Sequence, residues 1–298
     1  MGKASRTKRN GSARERIAAQ RAAARRTEIR NRVFLASGAV VVVVAIVVAF
    51  VLVKANSKSK ADSESATGTT LSAGVIHDVT SVPASTLNAV GAGTTYPHPI
   101  SRLTGAHLTS GGKPEILYVG AEYCPYCATE RWAMAVALSR FGTFTGLHGI
   151  HSSSSDVFPN TPTLTFYKSH YSSPYITFTP VEETTVQKAP LQKPTAAQNQ
   201  LVAKYDAPPY VSQSSSGAIP FVDFGNQYLI SGASYNPQIL QGKTWSQVAA
   251  ALHDPSSDIG KGADGAANMI TATICKMTNN QPASACTPTI KALEAKVG

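Results

Sequence analysis

The longest apolar run in the chain extends from Val33 to Val53 and contains no charged residue. As a helix, these 21 residues would be about 30 Å long, which matches the hydrocarbon thickness of a bilayer. A cleaved signal peptide usually has a shorter apolar core of about 7–15 residues, although Val53-Lys54-Ala55 would be an acceptable cleavage site. The pattern therefore predicts one transmembrane helix at residues 33–53, with a cleaved signal peptide as the alternative.

Beyond this run the pattern of apolar positions changes twice. Residues 54–74 are rich in Ser, Ala, Thr, Gly and Lys and have no apolar periodicity, which is typical of a flexible stalk. In residues 75–298 short apolar runs alternate with polar turns, as in a folded domain. The central prediction there is a buried strand at Glu115–Val119, followed after a short loop by an alanine-rich, apolar helix at Ala128–Phe141.

Shorter patterns predict the other elements, and together they favour an α/β domain with a C-terminal helical extension over residues 256–298. The N-terminal cap signals and the periodicities predict strands at 75–79, 163–167 and 175–178, helices at 83–90, 195–205, 244–252, 266–277 and 288–297, and a hairpin of strands 221–224 and 227–230.

The formal net charge of +10 is concentrated in the N-terminal tail. Residues 1–32 contain eleven of the 27 Lys and Arg residues but only two acidic residues, Glu15 and Glu28, so the rest of the chain is nearly neutral. Under the positive-inside rule, tail 1–32 is expected to be cytoplasmic and the domain at 75–298 extracytoplasmic, anchored in the cell membrane. The basic charge thus indicates membrane topology, and no nucleic-acid partner is expected.

All four cysteines, Cys124, Cys127, Cys275 and Cys286, follow the predicted span and would lie in an oxidising compartment. Cys124 and Cys127 stand three positions apart at the start of the predicted helix, so their sulfurs can meet. The helix N-terminus favours a thiolate at Cys124, and Pro125 loses no hydrogen bond in the first turn. The pattern predicts a redox pair in which Cys124 is the nucleophile and Cys127 resolves the mixed disulfide.

Other uses of these cysteines are weaker. A zinc site would need a second ligand pair, and Cys275 and Cys286, with ten residues between them, have poor spacing for one. No metal is therefore expected, and the exchange needs no other bound cofactor. A purely structural Cys124–Cys127 bridge would close too small a loop to stabilise the domain. Cys275 and Cys286 are expected to form a structural disulfide, worth about 2–3 kcal/mol in the chain-entropy model. A second redox pair that relays electrons to the first is the alternative.

The segment Ile116-Leu-Tyr-Val-Gly-Ala-Glu-Tyr-Cys-Pro-Tyr-Cys127 resembles the active-site strand, loop and helix of the thioredoxin superfamily, and its Pro-Tyr dipeptide is typical of glutaredoxins. The strings Cys124-Pro-Tyr-Cys-Ala-Thr-Glu-Arg-Trp132, Ser139-Arg-Phe-Gly142 and Pro159-Asn-Thr-Pro-Thr163 are similar to an uncharacterised family of membrane-anchored bacterial and archaeal proteins thought to be thioredoxin-like. The resemblance covers most of residues 75–255. It implies a thioredoxin-like α/β fold, preceded here by the transmembrane helix, and thiol–disulfide oxidoreductase activity.

The resemblance also implies a cis-proline loop beside the cysteine pair. Ile219 and Pro220, which precede the predicted hairpin, fit this loop, and the Ile219 backbone could then pair with a substrate strand. An ordinary trans proline is the alternative. Cys127 and Pro220 are separated by 92 residues, more than a minimal thioredoxin needs, so an insertion is expected near residues 152–215.

The sequence departs from the superfamily pattern at the buried acid that many thioredoxins carry six residues before the first cysteine. This position is Tyr118. Glu122 or Glu130 could replace the missing acid, although a solvated surface charge is the more common role for either. Tyr126 cannot supply the positive charge of a His between the cysteines, so a strongly oxidising pair is not expected.

Together these patterns predict a membrane-anchored, extracytoplasmic thiol–disulfide oxidoreductase that acts on protein thiols or disulfides. Its electron partner is hypothesised to be a membrane redox partner, such as a quinone-linked oxidase, or a thiol carrier. Two hypotheses from other classes stay open. One is a redox-inactive binding module that holds an envelope protein at the edge near Pro220. The other is a metal carrier that uses the cysteine pair.

Overall fold

The computed structural model describes residues 68–96 and 100–298 of the chain. The basic tail, the predicted transmembrane helix and residues 54–67 of the predicted stalk lie outside the described residues. Within the two described ranges, no helix combines the length and the apolar character needed to cross a bilayer. The architecture of this part of the chain is mixed α/β.

The helices and strands of the described residues cover most of the predicted elements. The helices are α1 (Ala73–Thr80), α2 (Ala84–Val90), α3 (Pro125–Ser139), α4 (Ala196–Tyr205), α5 (Trp245–Ala251), α6 (Gly265–Met277) and α7 (Pro288–Leu293). The strands are β1 (Thr69–Thr70), β2 (Ser101–Arg102), β3 (Thr109–Ser110), β4 (Lys113–Gly120), β5 (Thr143–Thr145), β6 (His148–His151), β7 (Pro162–Thr165), β8 (His170–Ser172), β9 (Thr177–Glu182), β10 (Phe221–Phe224) and β11 (Tyr228–Ser231).

Threonine caps fix the starts of three helices where the sequence predicts them. Thr195, Thr244 and Thr287 each accept a hydrogen bond from the backbone N–H three residues further along, at the starts of α4, α5 and α7. The first two also form complete capping boxes with Gln198 and Gln247. Local capping chemistry is therefore sufficient to place these helix starts.

Two predictions near the start of the domain are wrong. The run from Val75 to Val79 is not a strand but part of α1, because Ser72 caps the helix and the two valines, four positions apart, bury one helical face. The predicted stalk is also too long at its C-terminal end, since β1 already pairs with β6 and α1 begins at Ala73.

Strand β4 lies at the centre of a six-stranded sheet. It pairs in parallel with β9, with Glu115 opposite Thr177, and antiparallel with β10, with Val119 opposite Phe221. β11 follows β10 in the sheet and pairs with β2, while β3 pairs with the first residues of β4. Two smaller sheets, β1-β6-β7 and β5-β8, complete the architecture. Residues 152–215, where an insertion is expected, contain β7, β8, β9 and α4.

Alternate residues of β4 point into two separate apolar clusters. Ile116 and Tyr118 belong to the larger cluster, which includes α3 and α6, whereas Leu117 and Val119 join Tyr205 of α4 in the smaller one. The sheet therefore has helices packed on both faces, and α3 is buried along almost its whole length. A helix in that position needs apolar residues on every side, which explains its alanine-rich sequence.

The C-terminal extension packs against α3. A π-helical turn at Gly260–Asp264 leads into α6, and the predicted disulfide is present between Cys275 in α6 and Cys286, just before α7. Both half-cystines are buried. Arg140 at the end of α3 donates a hydrogen bond of 2.7 Å to the carbonyl of Ala285, which links the extension to the helix that carries the first cysteine pair.

Candidate active site: the Cys124–Cys127 pair

The two cysteines lie where β4 ends and α3 begins. Cys124 is the N-cap residue of α3 in extended backbone geometry, and Pro125 occupies the first helical position. The loop before it is held by the segment that follows the neighbouring parallel strand β9. The N–H of Glu122 donates to the carbonyl of Thr184 at 3.0 Å. The pair is thus fixed at the C-terminal end of the central strand.

The sulfur of Cys124 has two defined contacts. It accepts a hydrogen bond from the backbone N–H of Cys127 at 3.4 Å, and in its thiol form it donates to the carbonyl of Ile219 at 3.7 Å. Both cysteines are free thiols; Cys124 is 4 % exposed and Cys127 fully buried. Cys124 is therefore slightly more accessible than Cys127.

The same surroundings separate the acidities of the two thiols. The pKa of Cys124 lies below its ordinary value, first because the Cys127 thiol can donate a hydrogen bond to the Cys124 thiolate. The backbone N–H of Cys127 and the positive charge of Arg131 act in the same direction, and burial opposes them. The pKa of Cys127 lies well above its ordinary value, mainly because of burial and then because of its hydrogen bond to Cys124. The arrangement therefore favours a thiolate at Cys124 and a protonated Cys127.

The predicted cis-proline loop lies beside the pair. The Ile219–Pro220 peptide bond is cis, as the resemblance implies. The side chain of Ile219 packs against the two cysteines together with Ala121 and Tyr123. Pro220 directly precedes β10, and its carbonyl accepts a hydrogen bond from Gly232 at 2.8 Å. The Ile219 backbone is thus adjacent to the sulfur of Cys124, the cysteine with the more acidic thiol.

A buried ion pair lies beneath the cysteine loop. Arg131 of α3 donates from Nε and Nη2 to the two carboxylate oxygens of Glu182 in β9, at 2.8 and 2.7 Å, and both side chains are fully buried. Nη2 also donates to the carbonyl of Ala121 at 2.8 Å. The guanidinium carbon lies 5.9 Å from the ring centre of Tyr118. Within the described residues, the hydroxyl of Tyr118 and Nη1 of Arg131 have no hydrogen-bond partner.

The two acidic residues proposed as modulators are buried, so the expectation of a solvated surface charge is wrong for both. Glu122 is 3 % exposed and accepts a hydrogen bond of 2.7 Å from the hydroxyl of Thr165. Glu130 is fully buried, and its two oxygens accept hydrogen bonds from the backbone and hydroxyl of Ser234. Burial raises the pKa of Glu130 to about 7. Its hydrogen bonds tie α3 to the segment after β11.

The third proposed modulator, Tyr126, lies on the surface of the site. It is 38 % exposed, and its ring meets that of Phe158 edge to face, with the ring centres 5.9 Å apart. This contact joins the turn between the two cysteines to the loop that precedes β7. The residue between Pro125 and Cys127 therefore presents an aromatic ring at the surface of the site.

Sequence reasoning missed Arg131 and Glu182, the ionic residues that act most directly on the thiols. The sequence contains one signal for Arg131, because this residue is charged and most of its neighbours in α3 are apolar. Glu182 gave no such signal, because Glu182 and Glu183 at the end of β9 look like solvated charges. As for metals, the described ranges contain no group of three His, Cys, Asp or Glu side chains that could hold an ion.

The fold and the site thus define a mixed α/β domain with a buried Cys-x-x-Cys pair at a helix N-terminus. Residues 100–276, more than half of the chain, match a family described as a domain of unknown function (DUF929), and the chain belongs to that family. Searches of curated proteins and of solved structures found no match.

Proposed function

We propose that this protein is a membrane-anchored, extracytoplasmic thiol–disulfide oxidoreductase that acts on protein thiols or disulfides. The observation that carries the proposal is the asymmetry of the pair. Cys124 caps α3, accepts the N–H of Cys127 and has the lowered thiol pKa, whereas Cys127 is fully buried with a raised pKa. The attack on a disulfide requires a thiolate, and this difference in acidity makes Cys124 the thiol that ionises first.

The sheet order supports a thioredoxin-like interpretation of the domain. The strands β9, β4, β10 and β11 lie side by side, with β9 parallel to β4 and the β10–β11 hairpin antiparallel to it. The resemblance implies a cysteine pair between a buried strand and a helix, and a cis-proline loop that precedes a hairpin and a further helix. Here α3 follows β4, α4 precedes Ile219 and Pro220, and α5 follows the hairpin.

The proposed reaction is a two-electron exchange. The Cys124 thiolate attacks one sulfur of a substrate disulfide, forms a mixed disulfide and releases the other substrate sulfur as a thiolate. Cys127 then loses its proton to the solvent or to that thiolate and attacks the sulfur of Cys124. The second substrate sulfur leaves as a thiolate, so the substrate gains two electrons and the protein keeps a Cys124–Cys127 disulfide. The reverse sequence oxidises a substrate dithiol.

The loop at Ile219 and Pro220 supplies a place for the substrate backbone. The Ile219 carbonyl is in contact with the Cys124 sulfur, so an extended peptide that pairs with this loop would bring its own cysteine close to Cys124. This backbone contact supports a polypeptide as the proposed substrate. No bound cofactor enters the exchange, and a membrane redox partner would restore the pair after each turnover.

The first test is trapping in native membranes with a Cys127→Ala variant, which cannot resolve a mixed disulfide. We expect adducts on a non-reducing gel that disappear on reduction and are missing from the matched Cys124→Ala/Cys127→Ala double variant. In parallel, a glutathione-buffer titration of the wild type should show a reversible Cys124–Cys127 couple.

Absence of both adducts and a reversible couple would refute the enzyme hypothesis and favour a binding module with an idle pair. Stoichiometric copper or zinc on the reduced wild type, lost in Cys124→Ala, would instead favour the metal carrier.

A further inference from the structure

The buried Arg131–Glu182 pair is poorly explained as a source of stability. Both side chains are completely removed from solvent. Removing two charges from water costs several kcal/mol for each ion, and apolar residues of similar volume often stabilise a core as well or better. Stability alone therefore does not account for this charge pair, and a functional role is the alternative.

The position of the pair relates it to the cysteines. Arg131 is four residues after Cys127 and seven after Cys124, so the three residues share one face of α3. The carbonyl that Arg131 holds belongs to Ala121, which packs against both cysteines. Glu182 lies opposite Gly120, the last residue of β4 before the cysteine loop. The guanidinium thus lies directly behind the loop.

The surroundings allow the positive charge of Arg131 to act with little screening. The aromatic ring of Tyr118 lies beside the guanidinium, and both residues are fully buried. Three of the donor groups of Arg131 are fixed by Glu182 and Ala121, while Nη1 is a buried donor for which the described residues provide no acceptor. Because these side chains are fully buried, the effective dielectric is lower than at the surface, and the charge acts on nearby groups more strongly than a surface charge would.

We propose that Arg131 is a positioning residue that stabilises the thiolates of Cys124 and Cys127, and that Glu182 orients the guanidinium group and weakens its effect on the thiolates. The importance of this for exchange rests on the proposed function, but thiolate stabilisation itself requires no substrate. In agreement with the geometry, the charge of Arg131 lowers the pKa of both thiols, whereas Glu182 raises that of Cys127.

The proposal explains how a buried Cys127 can act in the resolving step. Cys127 must lose its proton before its sulfur forms the bond to Cys124 and the substrate thiolate leaves. In a fully buried position that thiolate would be unfavourable without a nearby positive charge. Arg131 supplies this charge and gives up no proton, because arginine stays protonated.

The test compares the direction in which two single substitutions shift the acidity of Cys124. The full-length protein is purified in mild detergent and gently reduced. The pH midpoint of Cys124 alkylation by iodoacetamide is followed by tandem mass spectrometry and by thiolate absorbance. Arg131→Gln leaves Glu182 unopposed and should raise the midpoint by about one pH unit, a roughly tenfold loss of thiolate below the midpoint. Glu182→Gln leaves Arg131 unopposed and should lower it.

The double variant Arg131→Gln/Glu182→Gln should lie above Glu182→Gln, because it lacks the positive charge. Arg140→Gln is the matched control, since it removes another arginine, half-buried at the end of the same helix, and should leave the midpoint unchanged. A merely structural role would move both single variants in the same direction, and that result, or no shift in either, would overturn the proposal. If Arg131→Gln does not fold, equal midpoints for Glu182→Gln and the double variant would overturn it.

The outcome is separable from the enzyme test. Opposite shifts in the two single variants, with no trapped adduct and no reversible couple in the wild type, would refute the proposed function and leave the role of Arg131 intact. Trapped adducts without these shifts would support the proposed function and overturn the role of Arg131.

Discussion

Glu130 gives the domain a stability that depends on pH, and replacing it with Gln should remove that dependence. The side chain is fully buried, and its carboxylate accepts two hydrogen bonds from Ser234. Burial nevertheless raises its pKa from 4.5 to about 7. Since the folded pKa is the higher one, the folded state holds this proton more tightly than the unfolded chain does. The stabilisation is complete below pH 4.5 and is lost as the pH rises through 7.

The magnitude follows from the difference between the two pKa values. A shift from 4.5 to about 7 corresponds to about 3 kcal/mol at pH values well above 7, of which about 2–3 kcal/mol is lost between pH 5 and pH 8. In Glu130→Gln this share of the pH dependence should vanish. The amide cannot accept both hydrogen bonds from Ser234, which costs about 1 kcal/mol, but this cost is the same at both pH values.

The assay is urea unfolding of the full-length protein in mild detergent at pH 5 and pH 8, followed by tryptophan fluorescence. Relative to the wild type, Glu130→Gln should gain about 2 kcal/mol on going from pH 5 to pH 8. Asp258→Asn, which removes an exposed carboxylate, is the control, and its unfolding free energy should depend on pH in the same way as that of the wild type. If Glu130→Gln keeps the pH dependence of the wild type, Glu130 is already ionised in the folded protein and the reasoning fails.

Three further predictions concern the cysteines and the core. In the reduced wild type, iodoacetamide at pH 7 should modify Cys124 well before Cys127, as mass spectrometry can show, and equal rates would contradict the difference in burial and acidity. Replacing both Cys275 and Cys286 by Ala should lower the free energy of unfolding by about 2–3 kcal/mol and leave mixed-disulfide trapping intact; loss of trapping would instead reveal a redox relay. Trp132→Ala should cost about 3–5 kcal/mol in urea unfolding, because the indole is fully buried and donates to Pro162 at 2.9 Å; a cost below 1 kcal/mol would show that the site collapses.

Elements that depend on local chemistry could be predicted from the sequence. The capping boxes at Thr195 and Thr244 and the hairpin after Pro220 are each specified by residues within a few positions of one another. The second strand of the hairpin is predicted one residue too early, because the loop has three residues, 225–227, and Phe224 pairs with Tyr228. The short run from Val75 to Val79 was ambiguous, because five apolar-rich residues fit a strand as well as one face of a helix. Its helical state depends on the cap at Ser72, which lay inside the segment interpreted as a stalk.

The burial of the charged residues could not be predicted in the same way, because it arises from tertiary pairing. Arg131 and Glu182 are 51 positions apart, and they meet only because β9 pairs in parallel with β4 and α3 packs across that pair. A charged residue is solvated in most proteins, so Glu122 and Glu182 are reasonable surface residues by default. Glu130 and Arg131 differ, since both lie in a helix buried on all sides. A charge there must be paired, hydrogen-bonded or neutralised, or it destabilises the fold. The low dielectric that makes this pair costly also makes its charge effective on a sulfur nearby. A lone basic residue within an apolar helix that begins with two cysteines is therefore evidence for a paired charge that acts on those cysteines.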